Sequence, residues 1–246
     1  MTYCLAMRLD EGLVFLSDTR TNAGIDNISI YRKLHVLQPA PDRAFSIQSA
    51  GNLATTQEVL DRIERDLAAT DGRETLATVA HLFEAALYVG RISREVVASH
   101  SEALGGSGAD GTATFILGGQ IEGERPEIFL VYPEGNYIRA SNTRPFLQIG
   151  ETTFGKIWLE LAVHARADLG QAIKISLGSM LSTTRANLSV GPPYDLAVYR
   201  NGALAFDEHR IEPTSDYLIE IQELFVQHLL AAVDELPPIP WAHSSS

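Results

Sequence analysis

With 246 residues, 45% hydrophobic and 20% charged, the chain holds enough apolar material for one large core or two modest ones; a single domain over 1–236 with a tail at 237–246 is expected. A net charge of -12 at pH 7 argues against nonspecific nucleic-acid binding, because a phosphate backbone would be repelled rather than neutralised. No apolar run is long enough to span a bilayer, no basic-then-apolar signal region precedes the first strand, and the lone Cys4 excludes an internal disulfide, so a cytoplasmic protein off the membrane is expected.

Taken in chain order, alternation predicts strands at Thr2–Arg8, Gly12–Asp18, Ile28–Tyr31, Leu34–Leu37 and Arg43–Ser49. Asp10-Glu11-Gly12 reads as a tight hairpin turn, and Thr21-Asn22-Ala23-Gly24 as a loop. Helical spacing follows at Val59, Leu60, Ile63 and Leu67, and again from Leu76 through Val79, Leu82, Phe83 and Leu87 to Ile92. The glycine-rich stretch 105–111 lacks the Gly-Lys-Ser/Thr ending of a phosphate loop and reads as a flexible connection. Strands return at Thr112–Leu117, Glu127–Tyr132, Tyr137–Ala140 and Phe146–Ile149. A helix starts near Ile157, another covers Leu169 to about Asn187, strands lie at Asp195–Arg200 and Ala203–Arg210, and a last helix runs from about Ser215 to Glu235. Its face of Leu218, Ile221, Leu224, Phe225 and Leu229 reads as core packing. Pro237, Pro238 and Pro240 then stop the helix.

This order does not alternate strand with helix strictly, which counts against a doubly wound parallel sheet. It suggests an α+β fold in which two antiparallel sheets face each other, each covered outside by helices: a four-layer α-β-β-α sandwich.

Thr2 is the most informative residue. Removal of Met1 would leave a hydroxyl nucleophile and a free α-amine on one residue, and an amine with an unperturbed pKa of roughly 7.7 can take the hydroxyl proton. If the first two strands form a hairpin, the start of one lies beside the end of the other, and Asp18 approaches Thr2. Lys33 completes the cluster: an ammonium beside the hydroxyl favours its ionised form, and the Asp18 carboxylate keeps that ammonium charged. The seven histidines lack paired metal-ligand spacing, and neither a metal nor a cofactor is expected.

Thr2, the segment Ser17-Asp18-Thr19-Arg20-Thr21 and Lys33 resemble the catalytic set of proteasome β-type subunits, and Ser49-Ala50-Gly51 before a helix resembles their glycine turn. Within that family, Met1-Thr2-Tyr3-Cys4 and the Thr21–Gly24 stretch look most like Anbu, a bacterial proteasome-related branch. The resemblance implies the four-layer sandwich, a threonine peptidase acting on peptides or unfolded polypeptides, and assembly of identical subunits into a ring or open helical stack; it leaves an ATPase partner open. It further implies Gly51 as oxyanion donor, Thr21 as holder of the substrate main chain and Ser49 as lining of the pocket before the scissile bond.

Two positions depart from the family pattern. Gly150-Glu151-Thr152 stands where Gly-Ser-Gly is usual, and in Arg185-Ala186-Asn187-Leu188-Ser189 a neutral amide, Asn187, takes the place of an acid while Ser189 matches the serine. Alternatives to the peptidase are therefore an amidase for a small, specialised amide, or a structural or binding subunit without catalysis. Maturation is expected to need only a methionine aminopeptidase.

Overall fold

The structure, a computed structural model, describes residues 1–22, 28–108 and 110–241. Ala23 and Gly24 of the expected loop, and the Ser244–Ser246 end, lie outside the described residues. Strands β1 (Tyr3–Arg8), β2 (Gly12–Asp18), β3 (Arg20–Asn22), β4 (Ile28–Ile30), β5 (Leu34–Ala40) and β6 (Arg43–Gly51) lead to helices α1 (Leu53–Leu67), α2 (Leu82–Ser99) and α3 (Ser101–Ser107). Then come β7 (Ala113–Ile121), β8 (Glu127–Val131), β9 (Tyr137–Arg139), β10 (Phe146–Gly150), α4 (Lys156–Ala162), α5 (Leu169–Ala186), β11 (Tyr194–Arg200), β12 (Phe206–Ile211) and α6 (Asp216–Asp234). The chain forms two compact units, Met1–Ile211 and Glu212–Ser246, so the first ends ahead of α6, whereas the sequence reading ran the domain to residue 236.

Two five-stranded antiparallel sheets carry the first unit, in the orders β10-β1-β2-β11-β12 and β5-β6-β7-β8-β9. The period of two along a strand sorts their side chains. On one face Cys4, Ala6 and Phe15 meet Ala44, Ile116 and Ile128 in a core shared by both sheets. On the other face of the second sheet, Phe45, Ile47, Phe115 and Leu117 pack with Val59 and Ile63 of α1 and Val89 and Ile92 of α2. The first sheet meets α5 with its opposite face: the Tyr3 hydroxyl lies 2.7 Å from Ser179 Oγ, and Ser176 Oγ 3.9 Å from Met7 Sδ. Cys4 is fully buried, with its thiol 3.7 Å from the Ser49 carbonyl; burial pushes the thiol up.

Caps set the helix starts. Asn52 accepts the Thr55 N–H at α1, and Asp168 accepts the Gln171 N–H at α5. The second helix begins at Leu82, not Leu76, for a reason outside its own sequence. Arg43 from β6 donates to the carbonyls of Leu76 (3.4 Å) and Val79 (2.7 Å), which occupy turns rather than a helical ladder. The glycine-rich connection is also corrected: its front half is α3, which stops where Gly108 takes a left-handed conformation (φ +66°) and donates to the Leu104 carbonyl. Thr21 and Asn22 are not loop but β3, paired with β4 in the register Thr21↔Ser29. On α6 only Leu218 of the expected apolar face is buried, while Leu224 and Leu229 are exposed.

Candidate active site

The β1–β2 hairpin pairs Cys4 with Ser17, which sets the beginning of the chain against Asp18 at the end of β2. The Tyr3 N–H donates to Asp18 Oδ1 at 2.9 Å. Lys33, in the link from β4 to β5, donates to the same oxygen at 2.8 Å and to the Arg20 carbonyl at 2.6 Å. Asp18 is fully buried and Lys33 nearly so. Burial pushes the Asp18 carboxyl up, against the pull of the Lys33 ammonium and of the Tyr3 and Gly191 N–H groups, the latter at 3.4 Å from Oδ2. The same surroundings reach the chain terminus. Burial, then the Lys33 charge, lowers the Met1 amine below its ordinary value, while the Asp18 charge opposes them.

Thr2 is half-buried between these groups and the end of β10. Its carbonyl accepts the Glu151 N–H at 2.7 Å, and Gly150, with φ +82°, fits against it so closely that a Cβ would stand 2.0 Å from the Thr2 oxygen. Asn187, the residue that closes α5, donates to Glu151 Oε2 at 3.1 Å and accepts the Ser189 N–H at 3.0 Å. The two departures from the proteasome pattern thus touch each other beside Thr2. The Thr153 N–H also donates to the Glu151 carboxylate at 3.1 Å; burial pushes the carboxyl up, but the Thr153 side chain and N–H, with the Asn187 amide, outweigh it and leave the group below its ordinary range.

Gly51 ends β6 with φ +114°, its Cα facing the Thr112 carbonyl, and lines a cleft of about 530 Å³ whose opposite wall includes Gln148, Gly150 and Thr152. Ser49 is buried one turn of the pleat earlier and donates its N–H to the Lys33 carbonyl at 3.1 Å; it does not line that cleft. Thr21 Oγ1 is buried and has no hydrogen-bond partner among the described residues. Three neighbours of the Asp18–Lys33 pair carry no signal as catalytic residues in the sequence: Tyr3 and Gly191 through backbone N–H groups, and Arg20 through its carbonyl. Gly191 is small because the Arg20 guanidinium occupies the space beside it, reaching on to the Leu188 carbonyl at 2.8 Å. Among the described residues no group of three or more His, Cys, Asp or Glu is placed to hold a metal ion, and no helix is long and apolar enough to cross a membrane.

No protein-family model matches the sequence, and no curated protein sequence does. Solved structures do. An Anbu (Gly-1) mutant from Hyphomicrobium sp. strain MC1 is 40% identical, with 97% of this chain and 99% of that one covered and a TM-score of 0.89. Anbu, an ancestral beta-subunit, from Yersinia bercovieri is 39% identical over 97% and 98% of the two chains, with a TM-score of 0.90. The chain belongs to the Anbu family. A third Anbu structure, a helical assembly of the complex from Pseudomonas aeruginosa, is 39% identical over 98% of this chain and all of that one, at a TM-score of 0.93. The Anbu likeness, most specific at Met1–Cys4 and Thr21–Gly24, extends over almost the whole chain.

Proposed function

We propose that this Anbu protein is an N-terminal-nucleophile amide hydrolase in which Thr2, freed of Met1, attacks the carbonyl of a peptide or unfolded polypeptide. The observation that carries the reading is the buried Asp18–Lys33 pair, hydrogen-bonded to the first strand immediately after Thr2. A structural role alone gives little reason for such a pair, because the desolvation of two buried charges offsets most of their attraction. In the proposed sequence the Thr2 hydroxyl passes its proton to the Thr2 amine while Oγ bonds to the carbonyl carbon. The leaving amine takes that proton, and water then cleaves the ester. Lys33 favours the ionised hydroxyl, Asp18 holds Lys33 charged, and the Gly51 N–H meets the oxyanion. Thr21 Oγ1, buried without a hydrogen-bond partner among the described residues, suits the edge where a substrate main chain pairs, while Ser49, buried and outside the lining of the Gly51 cleft, is given no part in the pocket wall.

The wider reading follows from the same contacts. Helices α1 and α2 on one sheet and α5 on the other favour the α-β-β-α sandwich. The exposed Leu224, Leu229, Leu230 and Val233 of α6 favour a homo-oligomer, a ring or open helical stack like the helical assembly formed by the P. aeruginosa protein. The Glu151–Asn187 contact favours a second reading, an amidase for a specialised small amide or a silent structural subunit, since the usual serine and acid are both replaced.

The pH dependence of peptide hydrolysis tests the assignment. The base is the neutral amine, so a depressed amine pKa widens the active range toward acid. The acid limb of kcat/KM is expected to lie below the ordinary terminal-amine value of 8.0, since Thr2 inherits the surroundings that depress the Met1 amine. Thr2→Ala should reduce turnover to background with assembly intact. Turnover that survives in Thr2→Ala overturns the mechanism; a panel of short amides with no peptide cleaved moves the assignment to the amidase.

A further inference from the structure

Beside the 530 Å³ cleft that reaches Gly51 and Gly150 lies a second one of about 310 Å³, and the two share Leu130, Tyr132, Gln148 and Thr152 as walls. The outer cleft is lined by Arg139, Arg144 and Lys156, with no carboxylate among its lining residues. The whole chain has 31 acidic against 19 basic residues, so a cleft with cations and no carboxylate in its lining runs against its composition. Arg144 is held in place, its guanidinium 5.0 Å over the Phe146 ring, whereas the Arg139 guanidinium lies 5.6 Å over Phe129, its partner across β8 and β9, and so turns to the α2 face, where it lines another cleft with Glu124 and Glu127. Arg144 also pairs with Glu160 at 2.7 Å, where both side chains are about half exposed and the pair is weak. Lys156 is exposed and has no ion-pair partner among the described residues.

We infer that this outer cleft is a subsite for a carboxylate-bearing residue of the substrate, an assignment that rests on the hydrolase reading and adds a substrate class to it. Its continuity with the cleft at Gly150 means that a chain lying against Thr2 can extend over Gln148 and Thr152 and place an Asp or Glu side chain, or a terminal carboxylate, by Arg144 and Lys156. A guanidinium already oriented by an aromatic ring, as Arg144 is by Phe146, suits a planar carboxylate, which can accept two parallel N–H bonds. The net negative charge elsewhere on the protein repels an acidic peptide, so the cleft also selects where such a peptide settles.

The test uses the full-length Thr2→Ala protein, so that bound peptide is not consumed, and fluorescence anisotropy with two labelled hexapeptides that differ only in Glu against Gln at three positions. The Glu peptide is expected to bind about fivefold more tightly at low salt. That preference should shrink at about 0.5 M salt and vanish in Arg144→Gln/Lys156→Gln. Equal affinities, binding of neither peptide, or a preference that survives in the double variant overturns the subsite. Reaction of Thr2 with a peptide epoxyketone, followed separately in the protein with native Thr2, judges the hydrolase reading: a reactive Thr2 without Glu preference sinks the subsite alone. A Glu preference with an inert Thr2 sinks the hydrolase and leaves a binding cleft.

Discussion

Replacing Lys33 by methionine is expected to lower acylation of Thr2 by about 10²–10⁴-fold and the stability of the folded chain by about 3–5 kcal/mol. The activity loss follows because the ammonium is the cation that the Thr2 end of the chain faces. The stability loss arises differently: Asp18, fully buried, keeps only the N–H groups of Tyr3 at 2.9 Å and Gly191 at 3.4 Å once the 2.8 Å ion pair is gone. Its carboxyl, already pushed up by burial, rises further. The folded state then binds a proton more readily than the unfolded one, so the variant loses stability as pH rises and regains it on acidification through the Asp18 pKa. Denaturant unfolding at several pH values checks this. Asp18→Asn added to Lys33→Met should restore most of the stability but none of the acylation, which separates the two roles; a double variant as reactive as wild type contradicts the account.

Gly150→Ala is expected to slow acylation by about 10²-fold or more, although residue 150 has no reactive group. At φ +82° an alanine is already strained by about 1–2 kcal/mol, and its Cβ would stand 2.0 Å from the Thr2 carbonyl oxygen and 2.7 Å from its carbon. Both partners are backbone, so β10 and the first residues of the chain must separate, and Thr2 moves relative to Asp18 and Lys33. Gly72→Ala is the control: φ is +78° there, but nothing lies within 4 Å of the added carbon. It should share the strain and leave acylation unchanged. Equal rates for the two variants contradict the claim that the β10 end positions Thr2.

Much of the hairpin that carries Asp18 was legible, because alternation and the Asp10-Glu11-Gly12 turn fix its register, and a strand end beside a strand start follows from antiparallel pairing. Lys33 was legible only as a residue type at a plausible distance along the chain; the 2.8 Å contact depends on how β5 meets β2, a packing of two sheets that periodicity does not encode. The Glu151–Asn187 bond and the fit of Gly150 to Thr2 are of the same kind, since β1 and β10 are far apart in sequence and pair only in the folded sheet. Local errors also had non-local causes. Leu76 and Val79 carry the helical pattern, yet Arg43 from a distant strand takes their carbonyls. Thr21 and Asn22 have turn-forming chemistry, yet Ser29 and Ile28 opposite them complete a ladder. On α6 periodicity identified an apolar stripe correctly but not whether this chain alone would bury it.

The central claim, that Thr2 is a competent N-terminal nucleophile, is tested most directly by the intact mass of the purified full-length protein before and after incubation with a peptide epoxyketone. That probe bonds to both the hydroxyl and the free amine of an N-terminal threonine. The expected result is a mass lacking Met1 and a stoichiometric adduct that maps to Thr2 and is lost in Lys33→Met; a free Thr2 terminus that forms no adduct in the assembled protein would contradict the assignment.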